Sequence, residues 1–111
     1  AIPVITDAIL KNIQGFDQEK AYAAMRKSAF QQQRGTPDYI RYGYLPQDKH
    51  GWSVTITLEY AFDDWCIAQA AKKLGKTDDY HLFMQRAKSY QHLFDATTGF
   101  MRAKDSLGRF I

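Results

Sequence analysis

S-V-T-I-T-L-E-Y-A-F-D-D-W-C-I-A-Q-A-A-K-K-L, from Ser53 to Leu74, decides how this chain folds. It holds neither glycine nor proline, and Gly75 follows it in the position where helices commonly end. Stepping 100° per residue, Val54, Leu58, Ala61, Trp65 and Ala68 fall on one side, and Ile56, Tyr60, Ile67 and Leu74 on an adjacent one. A helix apolar over most of its girth packs on several sides at once. Thr55, Glu59, Asp63 and Cys66 share the remaining strip, while Asp64 falls between the apolar arcs and needs donors from other elements. Ser53 is the expected N-cap, and Lys72 and Lys73 suit the negative end of the helix dipole.

Working outward, the flanks also read as helices. Pro3 suits a first helical turn, and Ile2, Ile5, Ile9 and Ile13 recur at near-helical spacing until Gln14-Gly15. Asp17 caps a second helix, with Phe16 placed to pack back on it and Tyr22, Met25 and Ala29 as its apolar stripe. That helix is expected to end near Arg34-Gly35. Thr77 is the expected cap of a fourth helix with Tyr80, Phe83, Met84, Ala87, Tyr90 and Phe94 as its stripe. Asp95 to Gly99 reads as a turn, and Phe100-Met101 opens a short irregular or extended tail. From Gly35 to Gly51 neither helical nor strand period holds, so this segment is expected to be one long ordered loop, anchored by Tyr39, Tyr42 and Tyr44. It serves as a connector on the plain reading, and as a wall of a ligand cleft on the sharper one. The class is all-α.

Composition narrows the function. The 111 residues are 45% hydrophobic, which suits one globular unit. The charge of +3 is spread among a dozen acids, giving little support for a nucleic-acid partner. No apolar run approaches the roughly 20 residues of a membrane span. The start at Ala1 without Met is expected of a processed protein or of a piece excised from a longer one, and the lack of a stop signal near Ile111 is read as a cut at that end. Cys66 alone builds no disulfide framework and reads as a buried, inert thiol.

His50, His81 and His92 lack metal-ligand spacing with Cys66, so no metal site is expected within the chain. Gly35, Gly43 and Gly51 lack the context of a phosphate loop, and Ser53 lacks a nucleophile elbow. Acid–base chemistry by carboxylates remains. A general acid needs a raised pKa, and Glu59, placed between Trp52 and Phe62, has an environment suited to one. Glycoside hydrolysis is the reaction class that most often sets paired carboxylates in an aromatic cleft. On spacing alone, a glutamate on a polar strip is ordinarily a solvated residue.

The run Y-G-Y-L-P-Q-D-K from Tyr42 to Lys49, followed by S-V-T-I-T-L-E-Y-A-F-D-D-W, resembles the motif block of the calcium-dependent alpha-mannosidases of glycoside hydrolase family 92, typically S-V-S-K-T-L-E-Y-A-Y-D-D-W. The likeness extends to I-P-V-I-T-D-A at the start, G-F-D-Q-E-K-A-Y-A-A-M from Gly15, A-K-K-L-G-K from Ala71 and L-F-D-A-T-T-G-F-M-R from Leu93. It thus covers nearly the whole chain.

The resemblance implies a secreted or periplasmic bacterial enzyme with a β-sandwich domain and a six-hairpin α/α toroid, of which residues 1–111 are one fragment. It implies exo-acting, inverting removal of mannose from glycans, with alpha-1,2-linked mannose the expected substrate. Calcium is the implied cofactor, with its ligands outside this stretch. It places the general acid on Glu59; inversion sets the base roughly 6.5–9.5 Å away across the sugar, and since no acid here matches the family's base motif, the base is expected elsewhere in the parent. Asp63, Asp64, Trp52 and Tyr44 are the candidates for lining or supporting the site, with a structural role weighted above a catalytic one for both aspartates. Thr55, Ile56 and Phe62 depart from the family's usual Ser, Lys and Tyr; the loss of a cation at Ile56 bears on specificity more than on reaction class. The competing readings are a helical-repeat scaffold and a non-catalytic carbohydrate-binding relic. A repeat should recur about 34 residues earlier, where the Gly35–Gly51 segment intervenes. The isolated chain is expected to be inactive on mannosides and to self-associate or leave apolar helix faces exposed.

Overall fold

The computed structural model describes all residues, 1–111. It contains α1 (Ile2–Leu10), α2 (Gln18–Ser28), α3 (Thr36–Tyr42), α4 (Ser53–Lys73) and α5 (Thr77–Arg86), then a 3-10 helix (Ala87–Leu93) and a two-stranded ribbon of β1 (Phe94–Asp95) and β2 (Phe100–Met101). The strands are antiparallel, with Phe94 opposite Met101 and Asp95 opposite Phe100. As the all-round apolar pattern requires, α4 is the hub, packing on α1, α2, α5 and the 3-10 helix.

The main core lies where α4 meets α1, α2 and α5. Ile67, Ala68, Ala70 and Ala71 of α4 meet Ile9, Tyr22, Met25, Ala29 and Phe83. The alanines let neighbouring helices approach closely, and each fully buried Ile, Met or Phe stabilises by about 1.5–3 kcal/mol. Polar ties reinforce the packing: Thr6 donates to the Cys66 carbonyl at 3.2 Å, and Tyr22 and Arg26 of α2 both reach Asp79 of α5, at 2.8 and 2.9 Å. Asp17 caps α2 as expected, accepting from the Lys20 amide at 3.0 Å.

The radius of gyration is 15.0 Å, against about 13 Å for a compact domain of this length. Some faces are therefore left uncovered, notably around Phe62 (54% exposed) and Trp65 (44%), whose rings stack 6.2 Å apart.

Several expectations are corrected. The Gly35–Gly51 segment is not loop throughout, because Thr36–Tyr42 forms α3. Gly35 and Gly43 bracket it in the left-handed conformation, at φ 75° and 80°, and Pro37 sits in its first turn. Seven residues are under two turns, too few for a helical period to show. α1 stops at Leu10 rather than Ile13, and α2 at Ser28, well short of Arg34. The α2 end is fixed by Arg86, whose Nη2 donates to the Ala29 carbonyl at 2.8 Å, and by Phe30 packing edge-on to Phe83. Neither Ser53 nor Thr77 caps its helix; both are first helical residues. Ser53 instead donates to Gln47 Oε1 at 2.6 Å. The predicted fourth helix narrows to 3-10 geometry from Ala87, leaving Tyr90 and Phe94 exposed.

Candidate active site

The acids of α4 go to three different environments. Asp64, 2% exposed, is the centre of a polar knot. Its Oδ2 accepts from the Tyr39 hydroxyl at 2.7 Å and from Arg86 Nε at 3.2 Å. Tyr39 in turn lies 2.9 Å from Ser89 Oγ, so α3, α4, α5 and the 3-10 helix are joined through a single carboxylate. Burial pushes the Asp64 carboxyl up to about 6, partly offset by the Arg86 charge and the Tyr39 hydrogen bond. Burial and the Asp64 charge also raise the Tyr39 phenol. Arg86 Nη1 is the one buried side-chain polar atom left without a partner.

Asp63 is half-buried and lines a cavity of about 50 Å³ with Asp64, Arg86, Gln31 and Tyr60. Burial raises its carboxyl, and the Glu59 charge adds to the shift. Cys66 is buried and free, its thiol pushed up to about 11 by burial and by Asp63, which suits an inert thiol.

Glu59 is exposed, and its carboxylate takes part in no hydrogen bond or ion pair within the chain. It lines a groove of about 470 Å³ formed with Arg34, Gly35, Leu45, His50, Gly51, Ile56 and Tyr60. Trp52 and Phe62 are absent from that lining, so the predicted aromatic flanks of Glu59 are replaced by Tyr60, His50 and an aliphatic floor of Leu45 and Ile56. The floor is held because the Leu45 amide donates to Thr57 Oγ1 at 3.0 Å, tying the segment after α3 onto α4. Tyr60 reaches the other way, its hydroxyl donating to the Arg34 carbonyl.

Trp52 stands just before α4 with φ 56° and is 82% exposed. A bulky residue in the left-handed region is strained by about 1–2 kcal/mol. Tyr44 turns to the C-terminal segment, donating to the Asp105 carbonyl at 2.8 Å, and is buried there beside His92. Of the candidate site residues Glu59, Asp63, Asp64, Trp52 and Tyr44, only Glu59 lines the groove, and Ile56, the departure from the family pattern, lines it too. His50 had no signal, because a segment read as loop gives no basis for saying which of its side chains face α4, while Tyr60 read as an apolar-arc residue and Arg34 as a helix end.

No three His, Cys, Asp or Glu side chains converge as a metal cage. Calcium takes six to eight oxygen ligands, so the side-chain carboxylates of this stretch do not by themselves form a calcium cage.

Residues 1–111 match the glycosyl hydrolase family 92 catalytic domain throughout. The chain belongs to this family. Family 92 membership sets aside the helical-repeat reading. A family GH92 alpha-mannosidase from Bacteroides thetaiotaomicron is 52% identical and superposes with a TM-score of 0.96 over 99% of this chain. Its structure in complex with mannoimidazole superposes at 0.97. A family GH92 inverting mannosidase of the same bacterium is 35% identical, with a TM-score of 0.93 over 99% of this chain. An uncharacterized secreted glycosidase of Arthroderma benhamiae is 30% identical over 93% of this chain. The chain spans only 15–16% of the length of these relatives.

Proposed function

We propose that these 111 residues are the section of an exo-acting, inverting alpha-mannosidase that supplies its general acid, Glu59. The supporting observation is that Glu59 is the one acid of α4 that is exposed, unpaired and set in a groove large enough for a sugar. In this reading the protonated Glu59 carboxyl donates its proton to the glycosidic oxygen. The bond from that oxygen to the anomeric carbon breaks with its electron pair on the leaving alcohol, and a water attacks the opposite face of the ring. Asp63 lies one turn away on the same side of α4, so it does not stand across the sugar from Glu59. The base belongs to residues outside this stretch, as do the calcium ligands and the remainder of the α/α toroid.

Alpha-1,2-linked mannose on exported glycans is the proposed substrate, with a secreted or periplasmic enzyme as its setting. No helix here is long and apolar enough to cross a membrane. Glu59→Gln in the full-length enzyme tests the acid. A proton donor matters most for poor leaving groups, so an alkyl alpha-mannoside should lose far more rate than a dinitrophenyl one. Equal losses on both substrates would refute proton donation, and full activity on both would sink the role altogether.

Alone, the chain should not hydrolyse mannosides, and it should cover the Leu58, Phe62, Trp65 and Tyr90 patch with a second copy. Sedimentation should show association that Phe62→Ser with Trp65→Ser abolishes. A wild-type chain that stays monomeric would contradict this.

A further inference from the structure

The Glu59 groove has a second polar wall that proton donation does not use. His50 Nε2 lies 2.7 Å from Asp38 Oδ2 on α3. An ionised carboxylate only accepts, so Nε2 carries the hydrogen, and the neutral ring then has its lone pair on Nδ1. Nδ1 has no partner in the chain and faces Gly35. A methyl group placed on Gly35 would stand 3.2 Å from Nδ1 and 3.1 Å from Cε1. Glycine leaves the space beside that edge without a side chain, and both residues line the groove. The neighbouring Tyr60 hydroxyl is already committed to the Arg34 carbonyl, so it is not a free donor to Nδ1. The groove therefore presents an oriented acceptor with no internal donor, beside a carboxyl and above an aliphatic floor.

We propose that His50 is a substrate-binding residue whose Nδ1 accepts a hydrogen bond from a hydroxyl of the mannoside, with Asp38 as the positioning residue that fixes its tautomer. This rests on the groove being the sugar site. It goes further by naming the residue that reads a hydroxyl there.

The test measures Ki for methyl alpha-mannoside and its monodeoxy analogues on the full-length enzyme, in mildly alkaline buffer above the ordinary histidine range. Wild type should bind one deoxy analogue about tenfold more weakly than the parent sugar, the effect of one good hydrogen bond. His50→Phe keeps a ring without an acceptor, and should bind the parent sugar about tenfold more weakly and that analogue no worse. His50→Gln retains an acceptor and should preserve part of the discrimination, which decides the matter if the Phe variant folds poorly. Unchanged discrimination in a folded His50→Phe enzyme would overturn the proposal. The acid reading is judged separately by the turnover of Glu59→Gln, so either can fall without the other.

Discussion

Glu59 and Asp64 sit less than two turns apart on α4, and their surroundings are opposite. Asp64 is enclosed, accepts two hydrogen bonds and joins four elements. Glu59 is exposed and accepts none, and it faces a groove lined by residues from three segments. A buried carboxylate with its partners in place is committed to holding the fold, since any movement would break its bonds to both Tyr39 and Arg86 Nε and leave the Arg86 charge without its counter-ion. An acid left unpaired beside a cavity is free to exchange a proton with something that enters it. Exposure by itself does not separate the two roles. Asp78 is exposed too, but it lies in the first turn of α5, where the helix dipole accounts for it.

Substitutions at the two acids should therefore separate activity from stability. Glu59→Gln should lower kcat by about 10²–10⁴-fold in the full-length enzyme, the span usual for general acid–base catalysis. Its Tm should stay near wild type; a large Tm loss would place Glu59 in the framework instead. Asp64→Ala should destabilise by about 3–5 kcal/mol, because the Arg86 charge is left buried and unpaired. Urea denaturation measures this, and a loss below about 1 kcal/mol would mean that the knot is incidental.

The pH dependence sharpens the contrast further. Asp64 is raised to about 6 in the folded chain, against 3.8 for the free carboxyl. Between those values the folded state holds more protons, so this group's contribution is complete below pH 3.8 and is lost as pH rises through about 6. Asp79 and Asp95 act in the opposite sense. Arg26 and Tyr22 for the first, and Arg102 for the second, lower their pKa, so their contribution is lost as pH falls below the same starting value. Stability measured between pH 4 and 6 should therefore carry a downward component with rising pH that shrinks in Asp64→Asn to the part Asp63, raised in the same direction, contributes; an undiminished component there would assign it to another group. The smallest effect is expected at Trp52. Glycine relieves its left-handed strain, so Trp52→Gly should raise stability by up to about 1 kcal/mol. Weaker mannoside binding in that variant would show that the strained ring serves the substrate; unchanged binding would make the strain purely local.

The legible parts of this chain were those with long periods. α4 could be phased over some twenty residues, so the burial of Asp64 and the need for donors from elsewhere followed from its position between apolar arcs. The donors themselves did not. Arg86 reads as the basic residue of the last turn of α5, and nothing local to it points at Asp64, which lies 22 positions earlier. α3 was missed because its seven residues are set by two left-handed glycines and a proline rather than by hydrophobic spacing. Losing α3 also hid Asp38, and with it the orientation of His50. The family resemblance carried Glu59 into the argument, and the groove then supplied a physical setting that differs from the aromatic flanks expected for it.

α3 has a consequence for anyone who would re-engineer this chain. Its adjacent residues Asp38 and Tyr39 serve different masters, one steering His50 and the other closing the knot on Asp64. A point change on this short helix therefore risks disturbing the groove wall and the framework together. Grafting residues 35 to 43 from a relative as one cassette, with both bracketing glycines, keeps the two tasks in register and makes the cassette the natural unit of exchange.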